Sequence, residues 1–149
     1  MKKYFITDRR TGLGDSLLNL AACWYLGKKY SRDVIIDWRR LPYTIKDYES
    51  YARHHINLYN SVFKIPDSID GVNFHLVEEF PDLFLGPKSK DGYPYDLDHL
   101  PLLDQHSSNY ELIDKIIKSD SLFIRNSMRF GEANVYYPEL RQIDSDNFN

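Results

Sequence analysis

The chain opens on a short apolar stretch, Tyr4-Phe5-Ile6, and then meets Arg9-Arg10-Thr11-Gly12-Leu13-Gly14-Asp15. β-Branched and aromatic content over residues 3–7 predicts a strand, and two glycines able to take φ > 0 predict the loop that ends it. Apolar residues then recur as Leu17, Leu18, Leu20, Ala21, Trp24 and Tyr25. This i, i+3, i+4 spacing predicts an amphipathic helix, with Asp15-Ser16 supplying the amino-terminal cap and Gly27 near its end. Ser31-Arg32-Asp33 turns the chain into Val34-Ile35-Ile36-Asp37, an apolar run bounded by charge, the pattern of a strand buried on both faces. Strand, helix and strand in that order make a βαβ unit with a parallel pair.

Farther along, Ile56, Tyr59 and Phe63 have the spacing of one or two short helices within residues 48–63, and residues 72–77 alternate like a strand. Residues 109–118 place Leu112, Ile113, Ile116 and Ile117 on one helical face behind the capping region Ser107-Ser108-Asn109. Leu122-Phe123-Ile124 reads as a fourth strand. Pro81, Pro87, Pro94 and Pro101, with Gly86 and Gly92, predict a long irregular excursion over residues 80–108, of the kind that often carries a binding loop. The polar stretch 143–149 closes no element and has the character of a linker. The recurring alternation of strand and helix predicts an α/β fold. We expect one domain over residues 1–149, a three-layer, open and mostly parallel sheet covered by helices.

Composition narrows the picture modestly. At 149 residues one core is expected, with roughly 70% of the unfolded chain's surface buried. Hydrophobic residues make up 42% and charged residues 28%, with 22 acidic against 19 basic side chains. That balance argues against disorder and gives no field suited to nucleic acid. Twelve tyrosines offer apolar faces with polar tips, which suit sugar or peptide surfaces but are equally well used in packing. The single Cys23 allows no disulfide within the chain and fits a reducing compartment. The apolar stretch at the amino terminus is shorter than a signal sequence needs, and no later run approaches ~20 apolar residues. A cytoplasmic protein without a membrane-spanning segment is expected.

The candidate chemistry lies in the Arg9 to Asp15 loop, because ligands of open α/β sheets gather at the carboxyl ends of strands. One reading is a dinucleotide fingerprint, Gly12-x-Gly14 with Asp37 holding a ribose, but Leu17 stands where a third small residue belongs. Another is structural, with glycines for a tight turn and Asp15 for a cap. It accounts poorly for two arginine pairs, Arg9-Arg10 and Arg39-Arg40, just beyond adjacent strand ends. Asp15 would compete with phosphate for the helix's free N–H groups, so a tight phosphate cradle is disfavoured and Asp15 suits capping or sugar hydroxyls. Arg9 or Arg10 would reach a diphosphate lying across a cleft. Asp37 would orient Arg39 or Arg10, and Trp38 would either stack on a sugar ring or pack beneath the loop. Tyr93, Tyr95, His99 and His106 would either contact an acceptor or pack within their loop. Neither His54-His55 nor Asp96-x-Asp98-His99 has the spacing of a metal site, and none is assigned.

The run Arg9 to Leu17, the small-and-aromatic stretch Leu20-Ala21-Ala22-Cys23-Trp24-Tyr25, and Val34-Ile35-Ile36-Asp37-Trp38-Arg39-Arg40 with Tyr43 close behind resemble the amino-terminal region of NodZ-like fucosyltransferases. The likeness is strongest over residues 8–43. It implies two Rossmann-like domains facing across a cleft, the GT-B arrangement. It also implies transfer of fucose from GDP-fucose to a glycan hydroxyl without a metal or other cofactor. This chain would be the amino-terminal, acceptor-side half. Arg10 would act on the leaving diphosphate as the catalytic residue. Arg9, Gly12, Gly14, Asp15, Asp37, Trp38 and Arg39 would line the substrate site. The family's donor domain carries a His-x-Arg motif that this sequence lacks, so the implied partner is a separate donor-binding domain, and the chain alone is expected to be inactive. The alternatives are a stand-alone carbohydrate-binding module and, more remotely, a dinucleotide-binding domain.

Overall fold

The computed structural model describes residues 1–8, 13–38, 66–80, 83, 97, 99–104 and 110–129. The described elements run β1 (Tyr4–Thr7), α1 (Leu13–Tyr30), β2 (Asp33–Ile36), β3 (Ser68–Ile69), β4 (Val72–Leu76), a 3-10 turn (Val77–Glu79), β5 (Leu102–Leu103), α2 (Tyr110–Ile117) and β6 (Phe123–Asn126). The strands form one sheet in the order β3-β4-β2-β1-β6-β5. All neighbours are parallel except β3 and β4. That exception is a tight hairpin, whose Asp70 (φ 51°) and Gly71 (φ 82°) both take the left-handed conformations that an Asp-Gly turn favours.

The α/β class, the β1-α1-β2 unit, the strand at β4, the helix at α2 and the strand at β6 follow the hydrophobic pattern. Two strands do not. β5 falls inside the 80–108 stretch read as irregular, and β3 was not anticipated. Each is two residues long, too short for alternation to register, and each exists because a neighbouring strand offers it a ladder. The helices expected within 48–63, the capping region 107–109 and most of the Pro-rich stretch lie outside the described residues.

The sheet is packed on both faces, as the unbroken apolar run of β2 requires; all four of its residues are buried. Phe5, Val34, Ile36 and Ile124 point to a first face covered by α1 and α2, where Leu20, Ala22, Cys23, Leu26, Ile113 and Ile117 meet them. The crossovers β1-α1-β2 and β5-α2-β6 travel the same way across the sheet, so a common right hand puts both helices on one face. The return from β4 to β5 runs the other way. Its described residues Val77, Phe80, Leu83, Leu97 and Leu100 accordingly cover the second face over Ile6 and Ile35. The Pro-rich excursion thus contributes to the second layer of the core.

α1 follows its hydrophobic pattern in part, with Leu18, Leu20, Ala21, Trp24 and Tyr25 packed against the core. Its buried residues are Ser16, Asn19, Leu20, Ala22, Cys23, Leu26 and Gly27, whereas Leu13 and Leu17 are exposed. Besides Leu20 and Leu26, the inward stripe is built from small and polar groups because the helix lies close to the sheet. At Gly27 a β-carbon would stand 2.5 Å from the Arg32 carbonyl oxygen. Gly27 therefore serves close approach, and the helix ends three residues later. Ser31 takes the left-handed conformation (φ 56°), and the Arg32 N–H returns to the Gly27 carbonyl at 2.9 Å, closing the last turn as a Schellman motif does.

Arg32 then anchors the amino-terminal end of the strands. Buried beside the Phe5 ring, it donates to the carbonyls of Ser121 (2.7 Å), Ser119 (3.0 Å) and Ile117 (3.4 Å). These lie at or just past the carboxyl end of α2, where a cation is favoured. Burial lowers the Arg32 pKa from its ordinary value. Neighbouring Asp33 is buried too, and desolvation alone would raise its pKa. Two bonds from Asn73 (3.0 and 3.2 Å) and the Lys2 ammonium at 3.1 Å outweigh that cost, and the carboxyl lies below its usual range.

Candidate functional site

The chain leaves β1 to one side, through α1 to β2, while β6 arrives on β1's other flank. The carboxyl ends of β1 and β6 therefore flank the point where strand order reverses, where open α/β sheets bind ligands. Side chains from β1, α1 and β6 converge there. Asp8, just past β1, donates its N–H to the Asn126 carbonyl at 3.0 Å, and its carboxylate accepts from Arg125 Nη1 at 3.3 Å. Arg125 is held in turn by the Leu100 carbonyl, at 2.8 Å from Nη2 and 3.2 Å from Nε.

Behind this pair, α1 and the exit of β6 are joined by a buried polar network. Asn19 Nδ2 donates to the carbonyls of Asn126 (2.9 Å) and Met128 (2.6 Å). Asn126 Nδ2 donates to Cys23 Sγ at 3.2 Å, and Asn126 Oδ1 accepts from the Met128 N–H at 3.1 Å. Asn19 and Asn126 are fully buried, and the Asn19 side-chain oxygen has no partner among the described residues. Buried asparagines earn their place by satisfying backbone groups where β6 ends and no strand partner remains. Burial pushes the Cys23 thiol up to about 12, with the Asn126 bond pulling it down and the Asp8 charge raising it. Cys23 therefore stays a protonated packing residue.

Of the residues picked from the sequence, Gly14 and Asp15 lie in the first turn of α1, and Asp37 and Trp38 follow β2. Arg9, Arg10, Gly12 and Arg39 lie outside the described residues. Gly14 corrects one expectation, since it is helical and is not among the described residues with positive φ. Asp15 corrects another. The helix begins at Leu13, so Asp15 sits inside the first turn rather than at the cap, and its Oδ1 accepts from Arg129 Nη1 at 3.1 Å. Asp37 is tied to β1 through its N–H, which donates to Thr7 Oγ1 at 2.8 Å. Trp38 is 5% exposed and packs into the first-face core.

Sequence reading missed Asp8, Asn19, Arg125, Asn126 and Arg129. A signal was present: Asn19 interrupts an apolar helix, and Arg125-Asn126 directly follows the apolar run Leu122-Phe123-Ile124, each a polar residue where pattern alone asks for packing.

The model of the family named nodulation protein Z (NodZ) matches residues 1–88, more than half of the chain. The chain belongs to the NodZ family. A nodulation protein Z of Azorhizobium caulinodans is 36% identical over 80 residues, which is 54% of this chain and 22% of that protein. One of Bradyrhizobium diazoefficiens is 46% identical over 37 residues, 25% of this chain and 10% of its own length. The chain thus matches only a minor part of these NodZ relatives. The crystal structure of fucosyltransferase NodZ from Bradyrhizobium superimposes with a TM-score of 0.52 at 23% identity, covering 84% of this chain and 43% of that one. Its Se-Met form gives 0.54 at 19% identity, with 100% and 56% covered. At these identities the likeness establishes a shared fold. The NodZ match takes in β1, α1 and β2 but ends before β6, so the arginine-bearing wall of the switch point lies beyond it. No described helix is long and apolar enough to cross a membrane.

Proposed function

We propose that the chain is the amino-terminal, acceptor-side domain of a fucosyltransferase working in the cytoplasm. It would face a donor-binding domain across the cleft of a GT-B enzyme and be inactive without it. In this reading the reaction moves fucose from GDP-fucose to a glycan hydroxyl. Neither a metal nor another cofactor takes part. The observation that carries it is the match of the family to the very segment, β1 through β2, that builds one wall of the switch point.

In this reading each site residue is assigned a role. Arg10, with Arg9, neutralises the leaving diphosphate as its charge develops, the step at which guanidinium contacts lower a barrier. Gly12 and Gly14 are assigned to leave room for substrate before α1; at Gly14 a β-carbon would meet nothing within 4 Å. Asp15 and Asp37 are held at the edge by Arg129 and Thr7, where carboxylates suit sugar hydroxyls. Arg39 works with Asp37, and Trp38 props the strand end from within the core.

Calorimetric titration with GDP-fucose, oligosaccharides and NAD tests this. Heat with the sugar nucleotide or an oligosaccharide is the expected result, and binding of NAD with no response to either sugar ligand would overturn the reading. In the full-length enzyme, Arg10→Ala is expected to lower kcat without shifting the unfolding midpoint.

A further inference from the structure

Residues 8–15 are electrically balanced within themselves: Asp8 and Asp15 cancel Arg9 and Arg10. A segment with no net charge is a poor match for a diphosphate. The exit of β6 changes this. Arg125 pairs with Asp8 at 3.3 Å and Arg129 pairs with Asp15 at 3.1 Å, so both acids flanking the loop are engaged by guanidiniums more than a hundred residues away in sequence. Arg125 is on the second face of the sheet, by its place beside Ile124, whereas Arg129 reaches α1 on the first. The pairs thus bracket the edge from both sides. Taken with residues 8–15, which sum to zero, Arg125 and Arg129 add two positive charges.

We infer that Arg125 and Arg129 are positioning residues that neutralise Asp8 and Asp15, and so turn the β1–β6 edge into a site for the diphosphate of a sugar nucleotide. This rests on the fucosyltransferase reading and names residues beyond the family match. Each arginine acts through its acid. Their effect on an anionic ligand is electrostatic, and its sign is fixed: uncovering a carboxylate weakens binding, and removing that carboxylate restores it.

Arg129 and Asp15 are the pair to test. Each side chain is 36% exposed, so exchanging either leaves the fold intact, which an unchanged circular-dichroism melt verifies. The dissociation constants of pyrophosphate and of GDP are measured for the full-length natural chain, for Arg129→Gln, for Asp15→Asn and for the double variant. Arg129→Gln is expected to weaken both ligands about fivefold, Asp15→Asn to strengthen them by a similar factor, and the double variant to return within about twofold of the starting values. Equal weakening by both single variants, or indifference to either, overturns the inference, as does a wild-type chain that binds neither ligand. Pyrophosphate binding with the rescue pattern but no GDP binding leaves the inference standing and removes the sugar-nucleotide reading. GDP binding that ignores both variants does the reverse.

Discussion

Replacing Gly27 with Ala sets two effects of opposite sign against each other. In a helix interior the exchange is ordinarily favourable by about 1 kcal/mol, because Ala restricts the unfolded chain and solvates less backbone. Here the added β-carbon would lie 2.5 Å from the Arg32 carbonyl oxygen, half an ångström inside the 3.0 Å that real contacts respect, and 3.4 Å from Val72 Cγ1. The clash is with backbone, so no rotamer relieves it. Arg32 would have to retreat with the bond from its N–H to the Gly27 carbonyl, its guanidinium bonds to the carboxyl end of α2, and the start of β2. Overpacking of this kind costs about 3 kcal/mol at the upper end of its usual range, leaving a net destabilisation of about 2 kcal/mol.

Gly14→Ala is the control. It lies in the same helix with nothing within 4 Å of its β-carbon and without a positive φ, so the propensity gain should appear unopposed, at about 0.5–1 kcal/mol. The assay is urea unfolding followed by tryptophan fluorescence, since Trp24 and Trp38 both sit in the described fold. The midpoint should fall for Gly27→Ala, rise for Gly14→Ala, and the slope should stay constant in both. A Gly27→Ala chain as stable as the parent would refute the close-approach argument for the whole α1 face.

Two further outcomes follow from buried ionisable groups. Cys23, with its thiol held near 12, should resist a thiol reagent at pH 8 in the native state and react once unfolded. Its folded pKa is raised, so the linked stability is present below the unfolded value of about 8.5 and fades as pH climbs from there toward 12, a slope that Cys23→Ala should remove. Asp33 has the opposite sign. Its folded pKa is depressed, so its contribution is full above the unfolded value of about 3.9 and disappears as pH falls through the folded one. Asp33→Asn should therefore cost about 1–3 kcal/mol at pH 7 and progressively less in acid, and a cost independent of pH between 7 and 3 would contradict the assignment.

How far the sequence foretold this arrangement differs from element to element. β1, α1, β2, β4, α2 and β6 were legible because each has enough residues to show a period. β3 and β5 were not, because two residues have no period and are defined by a neighbour. The face of α1 was legible only in part. Leu18, Leu20, Ala21, Trp24 and Tyr25 pack on the core as their spacing predicts, but Leu17 does not. Here Ser16, Asn19, Cys23 and Gly27 face inward so that the helix can come close, pushing Leu13 and Leu17 outward. The partners of Asp8 and Asp15 could not be read from the sequence, since they lie 117 and 114 residues away.

That distance bears on how a site of this kind is assembled. The βαβ unit makes a strand end, a helix amino terminus and a second strand end from fewer than forty consecutive residues, and the family match covers all of it. The Asp8 N–H, where β1 stops, finds its acceptor outside this unit. β6 supplies it: its Asn126 carbonyl takes both the Asp8 N–H and the Asn19 amide, and its arginines meet the two acids beside the loop. The segment that completes the sheet's hydrogen bonding therefore also brings the arginines to this edge. On the inference drawn above, a change in the exit of β6 is expected to alter ligand affinity through Asp8 and Asp15 without any exchange within residues 8–43. Binding measured on variants of residues 125–129 is thus a more discriminating probe of this edge than further exchanges within the loop.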